Sequence, residues 1–375
     1  MRHVKKAVLC ALLLGTTCVG IAQQDKKATK ETVHLYHNLF KLEKKGVMFG
    51  HQDALAYGAT WKYQPGRSDV KDITGDYPAV YGWELGHLEQ GANVNLDTVP
   101  FDKMRGFIHD GYERGGVITI SWHGNNPINN KSAWDVTPGG VKAVLPGGAK
   151  HDMFIGWLNH IADFLLSLKG DKGEAIPVLF RPYHELTGNW FWWGKNICTP
   201  EEYKALFRFT VHYLRDVRNV HNLLYVYNTS QFKTASDFLE RYPGDDVVDV
   251  LSFDAYQSKN PAVDSSFTKD VHDNLVILTS LAAQKHKLTA LAEVGYENIP
   301  YAGWWTGVLL KAIDKLPVSY LLAWRNAGYI GNSTTLSHFV PYDKTQVSGA
   351  DFIRFYEAPN TLFEKEVAKE KLYAK

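Results

Sequence analysis

Two glutamates in this chain follow apolar runs that read as buried strands. Glu185 comes after "AIPVLF" in the stretch "RPYHELTGNWFWWGK" (residues 181–195), and Glu293 closes "LTALAE". Neither run alternates in polarity, as expected of strands covered on both faces, and neither glutamate has a charge partner close by in the sequence. Two carboxyls aimed at one cavity can divide the labour of glycosidic bond cleavage. One protonates the leaving oxygen while the other attacks the anomeric carbon. The acid must stay protonated near neutrality, and a dry aromatic setting such as the run Trp190–Trp193 raises a carboxyl pKa. The nucleophile must stay ionised, which a donor such as Tyr256 would secure. Exposed indoles have a second use, since the C–H faces of sugar rings pack on them.

Holding such a pair in register requires strands that end together. Apolar, β-branched runs recur at 46–52, 79–85, 116–123, 177–185, 223–228, 249–256, 288–295 and 320–326, with helical patterns between them. Eight β/α units in one uninterrupted chain predict an α/β fold, a single (β/α)8 TIM barrel whose C-terminal strand ends form the working face. At that face the sequence places His51, Glu84, His123, His184, Glu185, Asn228, Asp254, Tyr256, Glu293, Trp324 and Arg325.

The connecting helices are also legible. One spans "HDMFIGWLNHIADFLLSLKG", with Asp152 expected as its cap and Gly170 as its stop. Another opens with Thr199 as cap, Pro200 in the first turn and Glu202 closing a capping box. The longest connection, between the third and fourth strands, is expected to be an ordered surface loop of functional length. Glu84 and Glu89 read as ordinary loop carboxylates. No H-E-x-x-H, H-x-H or cysteine cluster is present, so a metal site is not expected. A metal-dependent hydrolase built on His51, His123 and His184 is the rival, and it predicts inhibition by a chelator.

Of 375 residues, 45% are hydrophobic and 22% charged, enough for a large core. The formal net charge of +1 argues against nucleic acid as a partner. Residues 1–22 pair a basic start (Arg2, Lys5, Lys6) with a short apolar run and a small-residue cleavage site, which reads as an export signal. Thr17 and Gly15 are poor neighbours for a lipid anchor on Cys18, so the mature chain, 23–375, is expected to be one catalytic domain, monomeric and free of a membrane anchor, in the periplasm or outside the cell. Cys198 is then the sole cysteine and no intrachain disulfide is possible.

The motifs "RPYHELTGNWFWWG", "SWHGNN", "SFDAY", "AEVG" and "AWRN" closely resemble the retaining β-mannanases of glycoside hydrolase family 26, over essentially the whole mature chain. The resemblance implies Glu185 as acid/base and Glu293 as nucleophile, with His184 positioning the acid/base and Tyr256 contacting the nucleophile. It further implies sugar contacts at His123, Trp190, Asp254, Trp324, Arg325 and Trp134. It implies no cofactor, and the expected substrate is β-1,4-mannan or manno-oligosaccharides, cut internally. Release of mannobiose from a chain end, cleavage of another β-glycan, and an inactive sugar-binding barrel are the alternatives.

Overall fold

The computed structural model describes residues 25–375, so the expected export signal, with Cys10 and Cys18, lies outside the described residues. Eight parallel strands form the barrel: β1 (Val47–Gln52), β2 (Val80–Glu84), β3 (Val117–Trp122), β4 (Val178–Pro182), β5 (Leu223–Thr229), β6 (Val250–Gln257), β7 (Leu288–Tyr296) and β8 (Tyr320–Ala323). Each pairs with the next, and β8 returns to β1 with Met48 opposite Tyr320 and His51 opposite Ala323. All eight expected strands are present, most bounds falling within one or two residues. β4 is the main departure. It ends at Pro182, and Tyr183–Glu185 leave the ladder.

Side chains alternate along each strand between two cores. Met48, Val80, Val117, Leu179, Leu224, Val250, Ala290 and Leu322 fill the barrel interior, joined by Leu35 and Leu39 of the helix Lys30–Leu42, which plugs the N-terminal end. Their neighbours Phe49, Tyr81, Ile118, Phe180, Tyr225, Leu251, Leu291 and Leu321 face the surrounding helices. Burial on both faces explains the missing polarity alternation. Each buried Leu, Ile or Phe contributes about 1.5–3 kcal/mol, which lets the barrel hold a rigid mouth although Cys198 is a free, buried thiol.

The helix Pro200–His212 begins as expected, with Thr199 and Glu202 forming a reciprocal capping box. The helix His151–Ser167 does not: Asp152 lies inside its first turn and Lys150 is at the cap position, so Asp152 favours the helix dipole rather than closing a cap. The long connection after β3 is ordered. Asn126 Nδ2 donates to the carbonyls of Asp135 (2.6 Å) and Thr137 (3.0 Å), and Trp192 Nε1 donates to the Gly124 carbonyl (2.9 Å). Among the described residues no helix is long and apolar enough to cross a membrane.

Candidate active site

The glutamates reach one cavity by different local devices. Beyond β4, Tyr183 and Glu185 both adopt left-handed backbone, φ 52° each. That conformation costs a non-glycine residue on the order of 1 kcal/mol, so the turn must be held from outside. Tyr203 OH donates to the Tyr183 carbonyl (3.0 Å), Trp193 Nε1 to the His184 carbonyl (2.8 Å), and the Glu185 amide to Asn228 Oδ1 (2.9 Å). Glu293 depends instead on a bulge. Phe253 pairs with Leu291 but Asp254 pairs with Glu293, leaving Ala292 as the extra residue. Strict alternation would turn Glu293 outward with Leu291; the bulge lets Ala292 and Glu293 both face the interior.

At the mouth, one carboxylate oxygen from each of Glu185, Glu293 and Asp254 lies within 4.8 Å of the others. Arg181, pointing inward from β4, is the cation among them. It donates to Asp254 Oδ2 (2.9 Å) through one nitrogen and to Glu293 through another. Tyr256 OH donates to the second oxygen of Glu293 (2.6 Å), and Asn228 Nδ2 donates to Asp254 (2.8 Å). Glu293 therefore accepts from an arginine and a phenol. Glu185 has a different setting. Burial, then the charge of Glu293, push its carboxyl up to about 7, against the lowering effect of a hydrogen bond from Trp190 Nε1 (2.6 Å).

The expected aromatic run divides. Trp190 is 44% exposed and leans over Gly188, where a Cβ would come within 2.4 Å of the indole. Phe191, Trp192 and Trp193 are buried behind it, so only one ring of the four borders Glu185 from solvent. Trp134, on the loop after β3, is also half-exposed and stacks flat on His123, with centroids 5.0 Å apart. His184 meets His123 edge-on, and their Nε2 atoms are 3.0 Å apart. Trp324 is half-buried against the barrel interior. Arg325 is tied to Asp97 (2.9 Å) and to Tyr57 OH (3.2 Å), and Tyr57 in turn donates to buried Asp53 (2.5 Å). Glu84, His123, His184, Glu185, Asn228, Asp254, Tyr256 and Glu293 are thus joined by contacts at the strand ends, whereas His51 is buried and makes none of these contacts.

Glu84 and Glu89 correct the expectation of ordinary loop carboxylates. Glu84 is fully buried and accepts from His123, Ser121 and Gly86, while Glu89 is buried and accepts from Trp122 Nε1 (3.1 Å) and the Asn125 amide (3.0 Å). Arg181, Asp97, Asp53 and Tyr57 also belong to the neighbourhood, and none of them is among the residues the sequence places at the working face. Alternation offered a signal for two of them: Glu84 is in phase with inward Val80, and Arg181 with inward Leu179. The carboxylates most able to hold a cation, Glu185, Asp254 and Glu293, already have Arg181 between two of them. A second group, His109, Glu113 and Asp171, lies at the opposite end of the barrel on the surface.

The family model described as glycosyl hydrolase family 26 matches residues 24–338. A mannan endo-1,4-beta-mannosidase of Bifidobacterium adolescentis is 37% identical over 283 residues, which are 72% of this chain but 27% of that protein. One from Bacillus subtilis is 29% identical over 272 residues, 68% of each chain. Among solved structures, a family 26 beta-mannanase from Bacteroides ovatus superposes with a TM-score of 0.86 at 45% identity, covering 90% of this chain and 97% of that one.

Proposed function

From the premise that this chain belongs to glycosyl hydrolase family 26, we propose that it is an endo-β-1,4-mannanase acting by double displacement with retention. The single observation that carries the mechanism is the carboxylate pair, Glu185 and Glu293, with oxygens within 4.8 Å, Glu293 held by Arg181 and Tyr256 and Glu185 by Trp190. Retaining pairs stand roughly 5–5.5 Å apart, whereas inverting pairs leave roughly 6.5–9.5 Å for a water.

In the first step Glu293 attacks the anomeric carbon, and Glu185 gives its proton to the departing glycosidic oxygen. A pKa near 7 leaves Glu185 protonated often enough to act as acid at neutral pH. Arg181 and Tyr256 spread the negative charge of Glu293 and later stabilise it as a leaving group. In the second step Glu185, now ionised, takes a proton from water, which displaces Glu293 from the sugar. Trp190 and Trp134 supply exposed ring faces for sugar beside the pair. Asp254, Trp324 and Arg325 are assigned sugar contacts around the cleavage point and His184 the positioning of Glu185; His123, expected to touch sugar, has both ring nitrogens engaged by Glu84 and His184 and supports the site from behind.

Proton NMR of the first product released from a manno-oligosaccharide tests retention, and an initial product of inverted configuration refutes it. A product profile on mannan, xylan and mixed-linkage glucan tests the substrate. Mannobiose alone from the earliest time points means release from chain ends instead of internal cleavage. From the basic start, short apolar run and small-residue site in residues 1–22, we also propose export of a single catalytic domain, 23–375, as an unanchored monomer to the periplasm or beyond. Mass spectrometry of the secreted chain, expected to begin near Gln23, and its sedimentation test this.

A further inference from the structure

We propose that Glu84 is a positioning residue of the mouth: its buried carboxylate keeps His123 doubly protonated and thereby fixes His184 as a neutral acceptor at Nε2. The catalytic consequence rests on the glycosidase reading above, but the protonation pattern does not.

Glu84 ends β2 with no solvent exposure and accepts four hydrogen bonds, from Gly86 N (2.5 Å), Ser121 Oγ (2.6 Å), His123 N (2.7 Å) and His123 Nδ1 (2.8 Å). Four donors occupy both oxygens, so the group is an ionised carboxylate. A buried carboxylate without a counter-charge is strongly unfavourable, and among the described residues His123 is the ion-pair partner of Glu84. The flat face of Trp134 over the His123 ring favours a cation there as well.

Groups on every packed element act on His123. Burial opposes its charge; Glu84 from β2, Glu293 from β7 and Asp97 from the loop after β2 favour it, and the balance lies above the ordinary histidine value. His184 is pushed the other way, by burial and by the charges of Arg181 and His123. Two imidazoles with Nε2 atoms 3.0 Å apart can share only one proton. With His123 charged, that proton belongs to His123, so His184 accepts at Nε2 and carries its own proton on Nδ1. That atom is buried and has no acceptor among the described residues. Since Glu185 is the next residue, the ring of His184 and the acid share one turn. The His123 charge also restrains the upward shift of Glu185.

The test is 15N NMR of histidine-labelled full-length protein at pH 7.5, with His123 assigned through His123→Gln. Both ring nitrogens of His123 should be protonated and His184 should have one bare nitrogen; a bare nitrogen on His123 overturns the proposal. In Glu84→Gln, His123 should lose its second proton, kcat should fall about 10- to 100-fold, as for loss of a charge-assisted bond, and the alkaline limb should move to higher pH. Glu84→Asp keeps the charge and should restore the limb without the full rate. A Glu84→Gln protein of lower Tm with unchanged nitrogen shifts and an unchanged limb makes Glu84 a purely structural residue and also overturns the proposal. If Glu84→Gln does not fold, the nitrogen shifts of the unaltered protein decide. Absence of activity on mannan would refute the mannanase reading and leave those shifts as the test of this one.

Discussion

Replacing Trp190 by phenylalanine separates the two tasks that one side chain performs at the mouth. The ring offers a face to sugar, and its Nε1–H donates to Glu185 Oε2 at 2.6 Å. Phenylalanine keeps a ring and loses the donor. That hydrogen bond favours the ionised carboxylate, so its loss raises the Glu185 pKa from about 7, and the alkaline limb of kcat/KM moves upward. A hydrogen bond to a charged group is worth about 1.5–3 kcal/mol when buried. With Trp190 44% exposed, about 1 kcal/mol remains, which at about 1.36 kcal/mol per pH unit is a shift of about 0.5–1 unit. The assay is a pH profile of kcat/KM on a manno-oligosaccharide of fixed length, normalised to folded protein. Trp190→Ala should move the limb equally and raise KM further, with Tm nearly unchanged. A limb that stays in place or moves down in Trp190→Phe would refute the argument that this indole acts on the acid.

Glu293→Ala should abolish turnover on every substrate, whereas Glu185→Ala should give a burst with an activated aryl mannoside and almost nothing with mannan; equal loss on both substrates would contradict the division of roles. Gly188→Ala places a Cβ 2.4 Å from the Trp190 ring and should displace it. Activity close to that of Trp190→Ala with Tm lowered by only a few degrees is expected, and unaltered kinetics would count against Trp190 as a platform. Between pH 4.5 and about 7 the folded chain keeps a proton on Glu185 that the unfolded chain has lost, so stability falls as pH rises through that window. Glu185→Gln should remove this slope and stabilise the protein above pH 7 by about 1–3 kcal/mol, read from denaturant midpoints at pH 5 and 8.

Strand positions were legible because a strand covered on both faces leaves a continuous apolar run, and the two catalytic candidates because each such run ended in an acid. The capping box at Thr199 is wholly local and could be read at once. What stayed hidden depends on partners distant in the chain. Glu84 looks like any carboxylate until β3 brings His123 and Ser121 beside it. Phe191, Trp192 and Trp193 are indistinguishable from Trp190 in composition, and the turn through left-handed Tyr183 and Glu185 decides which ring faces solvent. Period-two counting would have sent Glu293 to the outer core, since nothing local announces the bulge at Ala292. Asp152 has the chemistry of a cap, and the helix simply begins two residues earlier than that cap would set it.

The two chain ends of the described barrel are tied together under its floor. Asp25 meets His221 just before β5, and Asn38, on the helix that plugs the barrel, donates to the carbonyls of Leu372 and Ala374. The catalytic opening is at the other pole. An affinity tag or surface linker attached at Lys375 would therefore present the cleft outward to an insoluble polymer, and the molecule can be immobilised from behind without touching the face that works.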